Sequence, residues 1–133
     1  MNIKLQNVNI QGVKSFLFEI KLSTRGIDRE TVAQAISSIV GGVILFNDTW
    51  NVYDSKNRVW TVRSVSNEAS HLQAEIVSPT LRYEDISELL EIIREIENRG
   101  AKVDKKCGIQ LHFSVDNFTL KALYRLEKAH ATA

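Results

Sequence analysis

Strict alternation of apolar and polar residues is the feature that most constrains the fold of this chain. The clearest case is the run from Lys106 to Ser114, which is entered through Gly108. Its apolar side is Ile109, Leu111 and Phe113, and its polar side is Gln110, His112 and Ser114. A period of two is typical of an antiparallel strand with one face on a core and the other face open.

Two further runs, at residues 16–23 and 72–77, show the same alternation. In the first run Glu19 and Lys21 share the polar side, and in the second run Glu75 stands opposite an apolar set. These patterns predict one sheet with an open face that carries Glu19, Lys21, Glu75, Gln110 and His112. Polar residues on the outer face of a two-layer fold are also expected without any function, so alternation alone does not distinguish a binding site from a solvated surface.

Helical periodicity indicates three helices. Asp28 is the predicted N-cap of the first, whose apolar stripe ends at Val40, and Gly41-Gly42 follows as a stop. A second helix is predicted over 84–99, where acidic residues occupy the first turn and favour the macrodipole. A third is predicted to begin at Asp116 or Asn117 and to turn Leu120, Leu123, Tyr124 and Leu126 towards the core.

The remaining segments complete a sheet. Residues 49–53 and 59–63 alternate on either side of a turn-rich loop, which predicts a hairpin. Val43 to Phe46 is too short to assign by periodicity, and a strand or a buried linker fits it equally. The predicted fold is α+β with two layers, a mostly antiparallel sheet carrying about three helices on one face.

Composition narrows the classes of function. A chain of 133 residues is the usual size of one domain, so we predict a single domain over 1–133, with 1–15 as a possible extra strand or arm. The formal charge of +1, from 17 basic and 16 acidic residues, argues against a nucleic-acid footprint. No apolar run is long enough for a membrane span, which needs about 18 residues or more, or for a signal peptide. The single cysteine indicates a reducing compartment, so we expect a cytoplasmic protein without a membrane partner.

Several isolated residues give weaker signals. Cys107 and His112 would lie roughly 16 Å apart along a strand, too far for a local nucleophile–base pair. Trp50 and Trp60 fall on neighbouring predicted strands and fit either stacking on a base or sugar, or core and cross-strand packing, which is favoured. No partner or catalytic pattern is evident for Ser55, Ser78, His71 and His130, and Gly41-Gly42 lacks the context of a phosphate loop.

Four short motifs occur in order from about residue 16 onward. They are Leu17-Phe18-Glu19-Ile20-Lys21, Trp50-Asn51-Val52-Tyr53-Asp54-Ser55, Glu75-Ile76-Val77-Ser78-Pro79 and Cys107-Gly108-Ile109-Gln110-Leu111-His112. In this order and spacing the chain resembles the N-terminal part of the amidoligase family. The usual signatures of that family are Gly-Val-Glu-Ile-Glu, Trp-x-Val-x-x-Asp-x-Ser, Glu-Ile-Val-Ser-Pro and Cys-Gly-x-His-x-His. The resemblance implies part of the glutamine-synthetase-like fold of carboxylate–amine ligases.

The same resemblance implies a reaction and a set of site residues. ATP would phosphorylate a carboxylate at a Mg²⁺ site, and an amine would displace the phosphate to form an amide. The substrates would be a small-molecule or peptide carboxylate and amine. On this mapping the catalytic residues are Glu19, Glu75 and His112, with both glutamates as metal ligands, and the residues around the nucleotide are Lys21, Asp54 and Gln110.

Two motif positions depart from the family pattern. Lys21 replaces the second glutamate of the first strand, which places a positive charge where a cation ligand is expected. Gln110 replaces the first histidine of the last motif and keeps a hydrogen-bonding amide without a titratable nitrogen. Family domains also continue beyond the helix after this motif, so we expect a domain shortened or cut at its C-terminus.

These departures favour an alternative function. The chain would then be a catalytically degenerate or truncated homologue that acts as a binding or interaction module. An uncovered sheet edge would favour self-association, so a homo-oligomer is possible.

Overall fold

The computed structural model describes residues 17–66 and 70–104 together with the backbone of 108–113. Its strands are β1 Leu17–Arg25, β2 Val43–Asn47, β3 Thr49–Tyr53, β4 Val59–Arg63, β5 Gln73–Val77, β6 Lys102–Val103 and β7 Gly108–Phe113. Its helices are α1 Arg29–Val40 and α2 Ile86–Asn98, the second of which follows a 3₁₀ turn at Tyr83–Asp85. The predicted third helix, Cys107 and the possible arm at 1–15 lie outside the described residues.

The described strands form one antiparallel sheet around β1. Their order is β2-β3-β4-β5-β1, and β6 and β7 both pair with the remaining edge of β1. β6 pairs with the end of β1, where Arg25 stands opposite Lys102, and β7 pairs with its beginning, where Glu19 stands opposite Gln110. The mostly antiparallel sheet predicted from the alternating runs is confirmed, and β1 pairs with three of the other described strands.

Both helices pack on the same face of this sheet. Alternate side chains of the central strands are buried against them, among them Phe18, Ile20 and Leu22 of β1 and Ala74 and Ile76 of β5. Because β strands alternate, the neighbouring positions point to the opposite face, which none of the described helices covers. The two-layer α+β arrangement is therefore confirmed, with two α-helices in the described residues. Neither is long and apolar enough to cross a membrane.

An N-cap aspartate and two glycines determine where α1 begins and ends. The N–H of Thr31 donates to Asp28 Oδ1 at 2.8 Å, so Asp28 caps the helix as predicted. Gly41 follows the last helical residue. Gly42 has φ +103, and a Cβ at that position would clash with the carbonyl oxygen of Tyr53. The two glycines therefore turn the chain from α1 directly into β2.

The structure defines two segments more closely than the sequence could. Of the two alternatives for Val43 to Phe46 the strand is correct, because residues 43–47 form β2, which pairs with β3 at the edge of the described sheet. The helix predicted over 84–99 begins at Ile86, because the preceding residues form the 3₁₀ turn. Leu90, assigned to the buried stripe of that helix, is only partly buried, whereas Ile92 is completely buried.

Candidate active site

The open face of the sheet brings three of the predicted site residues together. In the pairing of β1 with β5, Ser23 stands opposite Glu75 and Lys21 stands opposite Val77. Residues opposite each other in an antiparallel pair share a face, and the alternate pair, Leu22 and Ile76, is buried on the helical side. Glu19, Lys21 and Glu75 therefore lie on the face that faces away from the described helices.

The two glutamates lie at different heights along the sheet. Glu75 is level with Ser23, four residues further along β1 than Glu19. With a rise of about 3.3 Å per residue and a strand spacing of about 4.8 Å, their Cα atoms are roughly 14 Å apart. Lys21 occupies the level between them. One ion bonded to both carboxylates would need both side chains stretched towards each other, whereas a chain of phosphate groups could extend between them.

Glu75 is held by an arginine that sequence reasoning did not identify. Arg63 stands opposite Glu75 on β4, and its Nε and Nη2 donate to Glu75 Oε1 at 2.8 and 2.6 Å. Both bonds go to one oxygen, and Oε2 accepts no hydrogen bond from the described residues. Glu75 is thus fixed in orientation and keeps one oxygen available to a ligand.

The chemistry of these donors can be compared with what magnesium requires. Mg²⁺ is usually bound by one or two carboxylates, and phosphate and water oxygens complete its octahedron. In the described part of the chain, no three His, Cys, Asp or Glu side chains are grouped to hold a metal ion. The free oxygen of Glu75 and the half-buried Glu19 fit an ion held mainly by nucleotide phosphates. They do not fit an ion held by protein side chains alone.

The last motif is described through its backbone. Gln110 pairs directly with Glu19, and Leu111 pairs with Phe18. The register then shifts, because the next pair joins Phe113 to Leu17 and leaves His112 without a direct partner on β1. Such irregularities bend a strand locally and are over-represented beside active sites. The register places Gln110 directly opposite Glu19.

Ser78, in the same motif as Glu75, connects the end of β5 to β1. Ser78 Oγ accepts the N–H of Ile20 at 2.9 Å and donates to the carbonyl of Pro79 at 2.8 Å. The backbone N–H of Ser78 also donates to the carbonyl of Ile20 at 3.0 Å. Ser78 therefore ties the end of β5 to β1 beside Glu19 and has a structural role, consistent with its lack of a nucleophile pattern.

Asp54, predicted to support or bind the nucleotide, is buried in the turn of the β3–β4 hairpin. Its Oδ1 accepts the backbone N–H groups of Lys56 and Arg58, each at 2.9 Å. Its Oδ2 accepts Arg58 Nε at 2.9 Å and Trp60 Nε1 at 3.1 Å. Four donors occupy this carboxylate, so the geometry favours the supporting role over direct binding.

The hydrogen bonds around Asp54 and Arg58 form a network that continues from the hairpin to the start of α2. Arg58 Nη1 donates to Asp85 Oδ2 at 3.0 Å, and Lys56 Nζ lies 3.5 Å from Asp85 Oδ1. The backbone N–H of Arg82 also donates to Asp85 Oδ2 at 2.8 Å. Arg58 Nη2 lies 3.6 Å from Glu88 Oε1. Arg58 thus joins the hairpin turn to the first residues of the second helix.

Burial and hydrogen bonding act in opposite directions on the carboxylates of this network. Burial by itself would raise the pKa of Asp54 and of Asp85, but the donated hydrogen bonds outweigh burial, and both pKa values lie below the ordinary value. For Glu88 burial prevails over the attraction of Arg58 and Lys56, and its pKa is raised. The two aspartates therefore remain ionised and hold Arg58 in place.

Sequence reasoning missed this network, although part of its signal was present. An aspartate in a turn commonly accepts hydrogen bonds from backbone N–H groups a few residues further along, and in this way its carboxylate stabilises the turn. Arg58 lies at that spacing from Asp54, and Trp60 follows it. Asp85 was interpreted through the helix dipole, and nothing in the local sequence indicated that it would meet Arg58.

The tryptophans also take their favoured packing role. Trp60 is 1 % exposed on the helical side of the sheet, and Trp50 packs partly against the core with its ring 4.7 Å from that of Phe46. Ser55 and His71 are exposed. His130 lies outside the described residues.

Two open clefts border β1. One, of about 590 Å³, lies near the hairpin network and is lined in part by Lys56, Arg58 and Arg82. The other, of about 680 Å³, lies at the far end of β1 and is lined in part by Ser23, Arg25 and Lys102. The second cleft adjoins the open face, because Ser23 is the cross-strand partner of Glu75.

Comparison with known proteins gives one result that covers most of the chain. The model of a family described as "Putative amidoligase enzyme" matches residues 14–132. A search of curated proteins found no match. The matched segment contains the seven strands and two helices of the described residues and each of the predicted site residues.

Proposed function

Because the chain belongs to the amidoligase family, we propose that it joins a carboxylate to an amine with consumption of ATP. The substrates are a small-molecule or peptide acid and a small-molecule or peptide amine. The reaction takes place on the open face of the sheet, where Glu19, Lys21 and Glu75 lie together. The observation that carries this proposal is the family match across these strands, together with a carboxylate on the open face that keeps one oxygen free.

Each residue of the open face has a role in this proposal. Glu75 Oε2 and Glu19 would each contact Mg²⁺ or phosphate of the bound Mg²⁺·ATP at its own level of the sheet, and Arg63 orients Glu75 by its two bonds to Oε1. When bound, the metal supplies charge compensation for the phosphate groups as they move. Lys21, between the two glutamates, contacts the phosphates as a positive charge. His112 and Gln110, which the family motif assigns to the same site, contact phosphate from β7.

The test is a titration of Mg²⁺ and ATP into the protein, followed residue by residue in amide NMR spectra. We expect shifts concentrated at Glu19, Glu75 and His112. A ligase assay with candidate acids and amines, read as amide product and released phosphate, then follows. Absence of shifts at millimolar ligand would contradict a nucleotide site and would favour the alternative of a non-catalytic interaction module.

Glu75→Gln separates binding from folding. The substitution removes the negative charge but keeps the shape, so we expect loss of Mg²⁺·ATP binding with an unchanged fold. The ion pair with Arg63 is partly exposed, and pairs of this kind contribute only about 0–1 kcal/mol to stability. Glu91→Gln makes the same chemical change at an exposed position of α2 and serves as the control. Unchanged Mg²⁺·ATP binding in Glu75→Gln would remove Glu75 from the site.

A further inference from the structure

Two cations stand directly opposite each other at the end of the open face. Arg25 of β1 is the register partner of Lys102 of β6, and on its other side Arg25 pairs with Gln73 of β5. The three residues form a row across the sheet, two residues further along β1 than the row that contains Ser23 and Glu75. Their Cα atoms therefore lie within roughly 7–12 Å of that of Glu75.

This cation pair is not neutralised by the described part of the chain. Arg25 and Lys102 are both exposed, and neither forms an ion pair with a described residue. Like charges directly opposite on neighbouring strands are destabilising. By contrast, Arg58, Arg63 and Arg99 each have a carboxylate partner.

The pair also lines a cavity of suitable size. The cleft of about 680 Å³ at this end of β1 has Arg25 and Lys102 in its wall, together with the neutral donors Ser23 and Gln73. Asp104 also lines it, so the charged residues of the wall are two cations and one carboxylate, and the wall keeps a net positive charge. Ligand sites are commonly clefts of about 300–1,000 Å³ in which a few polar groups converge. The cleft near the hairpin is a weaker candidate, because Arg58 and Lys56 in its wall already face Asp85.

We propose that Arg25 and Lys102 bind an anionic group, a carboxylate or a phosphate, of a reactant that reaches Glu75. A guanidinium offers a planar pair of N–H donors to such a group, and an ammonium adds a second positive charge. The inference rests on the proposed function, since it assigns this anchor to one of its reactants. The anion is either part of the ATP phosphate tail or a second acidic group on the carboxylate substrate.

The experiment uses inorganic triphosphate and succinate as probes, each titrated without metal and followed by amide NMR. Either probe is expected to shift the amides of Arg25, Lys102 and Gln73. In the double variant Arg25→Gln/Lys102→Gln, binding should weaken at least about tenfold, because both charge-assisted contacts are lost. Shifts with triphosphate alone assign the site to ATP, and shifts with succinate alone assign it to the acid substrate.

A matched control removes the same charge elsewhere. Arg94→Gln/Arg99→Gln deletes two exposed cations at the C-terminal end of α2 and should leave probe binding within about twofold of wild type. Lys102→Gln alone provides a second variant if the double substitution alters folding. Absence of shifts at these amides with both probes, or equal weakening in the control, would overturn the inference.

The two proposals fail in different ways. If Mg²⁺·ATP shifts Glu19 and Glu75 while neither probe shifts the Arg25 row, only the anion anchor is wrong. If the probes bind at the Arg25 row and Mg²⁺·ATP leaves Glu75 unaffected, the ligase proposal is wrong and the anion site stands.

Discussion

At the scale of single residues, the surroundings give Asp54 a structural role and leave Glu75 suited to bind a ligand. Both belong to motifs of the family, and both contact an arginine. Asp54 is buried with four donors, which leaves no oxygen for a ligand. Glu75 is only partly buried, and a single oxygen takes both of its bonds from Arg63. The first residue therefore stabilises the hairpin, and the second is the better candidate for binding.

The buried network gives stability a defined dependence on pH. Burial would raise the pKa of Asp54, but its hydrogen bonds prevail and hold the folded-state pKa below 3.8. A depressed carboxyl pKa contributes stability that is complete well above 3.8 and is lost as the pH falls through the folded-state value. We expect Asp54→Asn to lower the free energy of unfolding by about 1–3 kcal/mol at neutral pH, because Arg58 and Trp60 lose the charged oxygen that accepts their hydrogen bonds while Asp85 still pairs with Arg58.

Urea unfolding at pH 7, 5 and 3 measures this effect. The difference between wild type and Asp54→Asn should shrink as the pH falls from 3.8 towards the lower folded-state pKa, because the unfolded chain then binds a proton at Asp54 that the folded chain does not bind. Asp48→Asn makes the same change at an exposed position and should leave the unfolding free energy nearly unchanged. A difference for Asp54→Asn that is constant across this pH range would contradict an ionised Asp54 in the fold.

A substitution of Lys21 tests whether this position of the open face corresponds to a metal ligand. It stands opposite Val77, diagonal to Glu75 and between the levels of the two glutamates. Lys21→Glu replaces a positive charge with a donor oxygen, so we expect Mg²⁺·ATP to bind about tenfold more tightly. Arg99→Glu makes an equal change of charge at the C-terminal end of α2 and controls for the overall field. If calorimetry shows no gain in Lys21→Glu, the mapping of this position onto a ligand is wrong.

At the scale of elements, α2 shows that not every residue of a periodic apolar stripe is buried. Ile92 and Ile96 are completely buried, and Leu89 and Ile93 nearly so. Leu90 belongs to the same periodic set but packs only partly against the core. Periodicity gives the direction of the apolar face, and contact with α1 and β6 decides which of its members are enclosed.

Paired truncations of α2 measure this distinction. Ile92→Ala should lower the free energy of unfolding by about 2–5 kcal/mol, because it leaves a cavity in a closed core. Leu90→Ala should fall at the low end of that range or below it, since part of its side chain is already in water. Thermal and urea denaturation of both variants provide the comparison. A melting curve of Ile92→Ala that matches wild type would contradict the packing of α2 on the sheet.

At the scale of the whole molecule, the sheet ends in an apolar edge. Among the described strands β2 pairs only with β3, and in this part of the chain Val43, Leu45 and Phe46 are 59 %, 54 % and 61 % exposed. The strand has no charged residue and no proline, which are the usual means of keeping edge strands apart. An antiparallel pair of two such strands places Leu45 opposite Leu45 and Ile44 opposite Phe46, so we propose that a second copy pairs at this edge.

Leu45→Lys should disrupt this association, because it puts two like charges opposite each other in the paired edge. We expect wild type to show concentration-dependent association in sedimentation velocity, and we expect the variant to remain monomeric. Gln34→Lys adds the same charge at an exposed position of α1 and should not change the association. A wild-type chain that stays monomeric at high concentration would contradict pairing through β2.

Local sequence by itself determined the alternating faces of β1 and β5, the α1 helix with its cap at Asp28, and the hairpin around Asp54. These features follow from period, capping and turn chemistry, which act over a few neighbouring residues. Only the tertiary structure decided that Glu19 and Glu75 lie at different levels, that Arg63 holds Glu75 and that Arg58 meets Asp85. Strand register and the pairing of distant charges depend on how the whole sheet packs against its helices, and no local pattern contains that information.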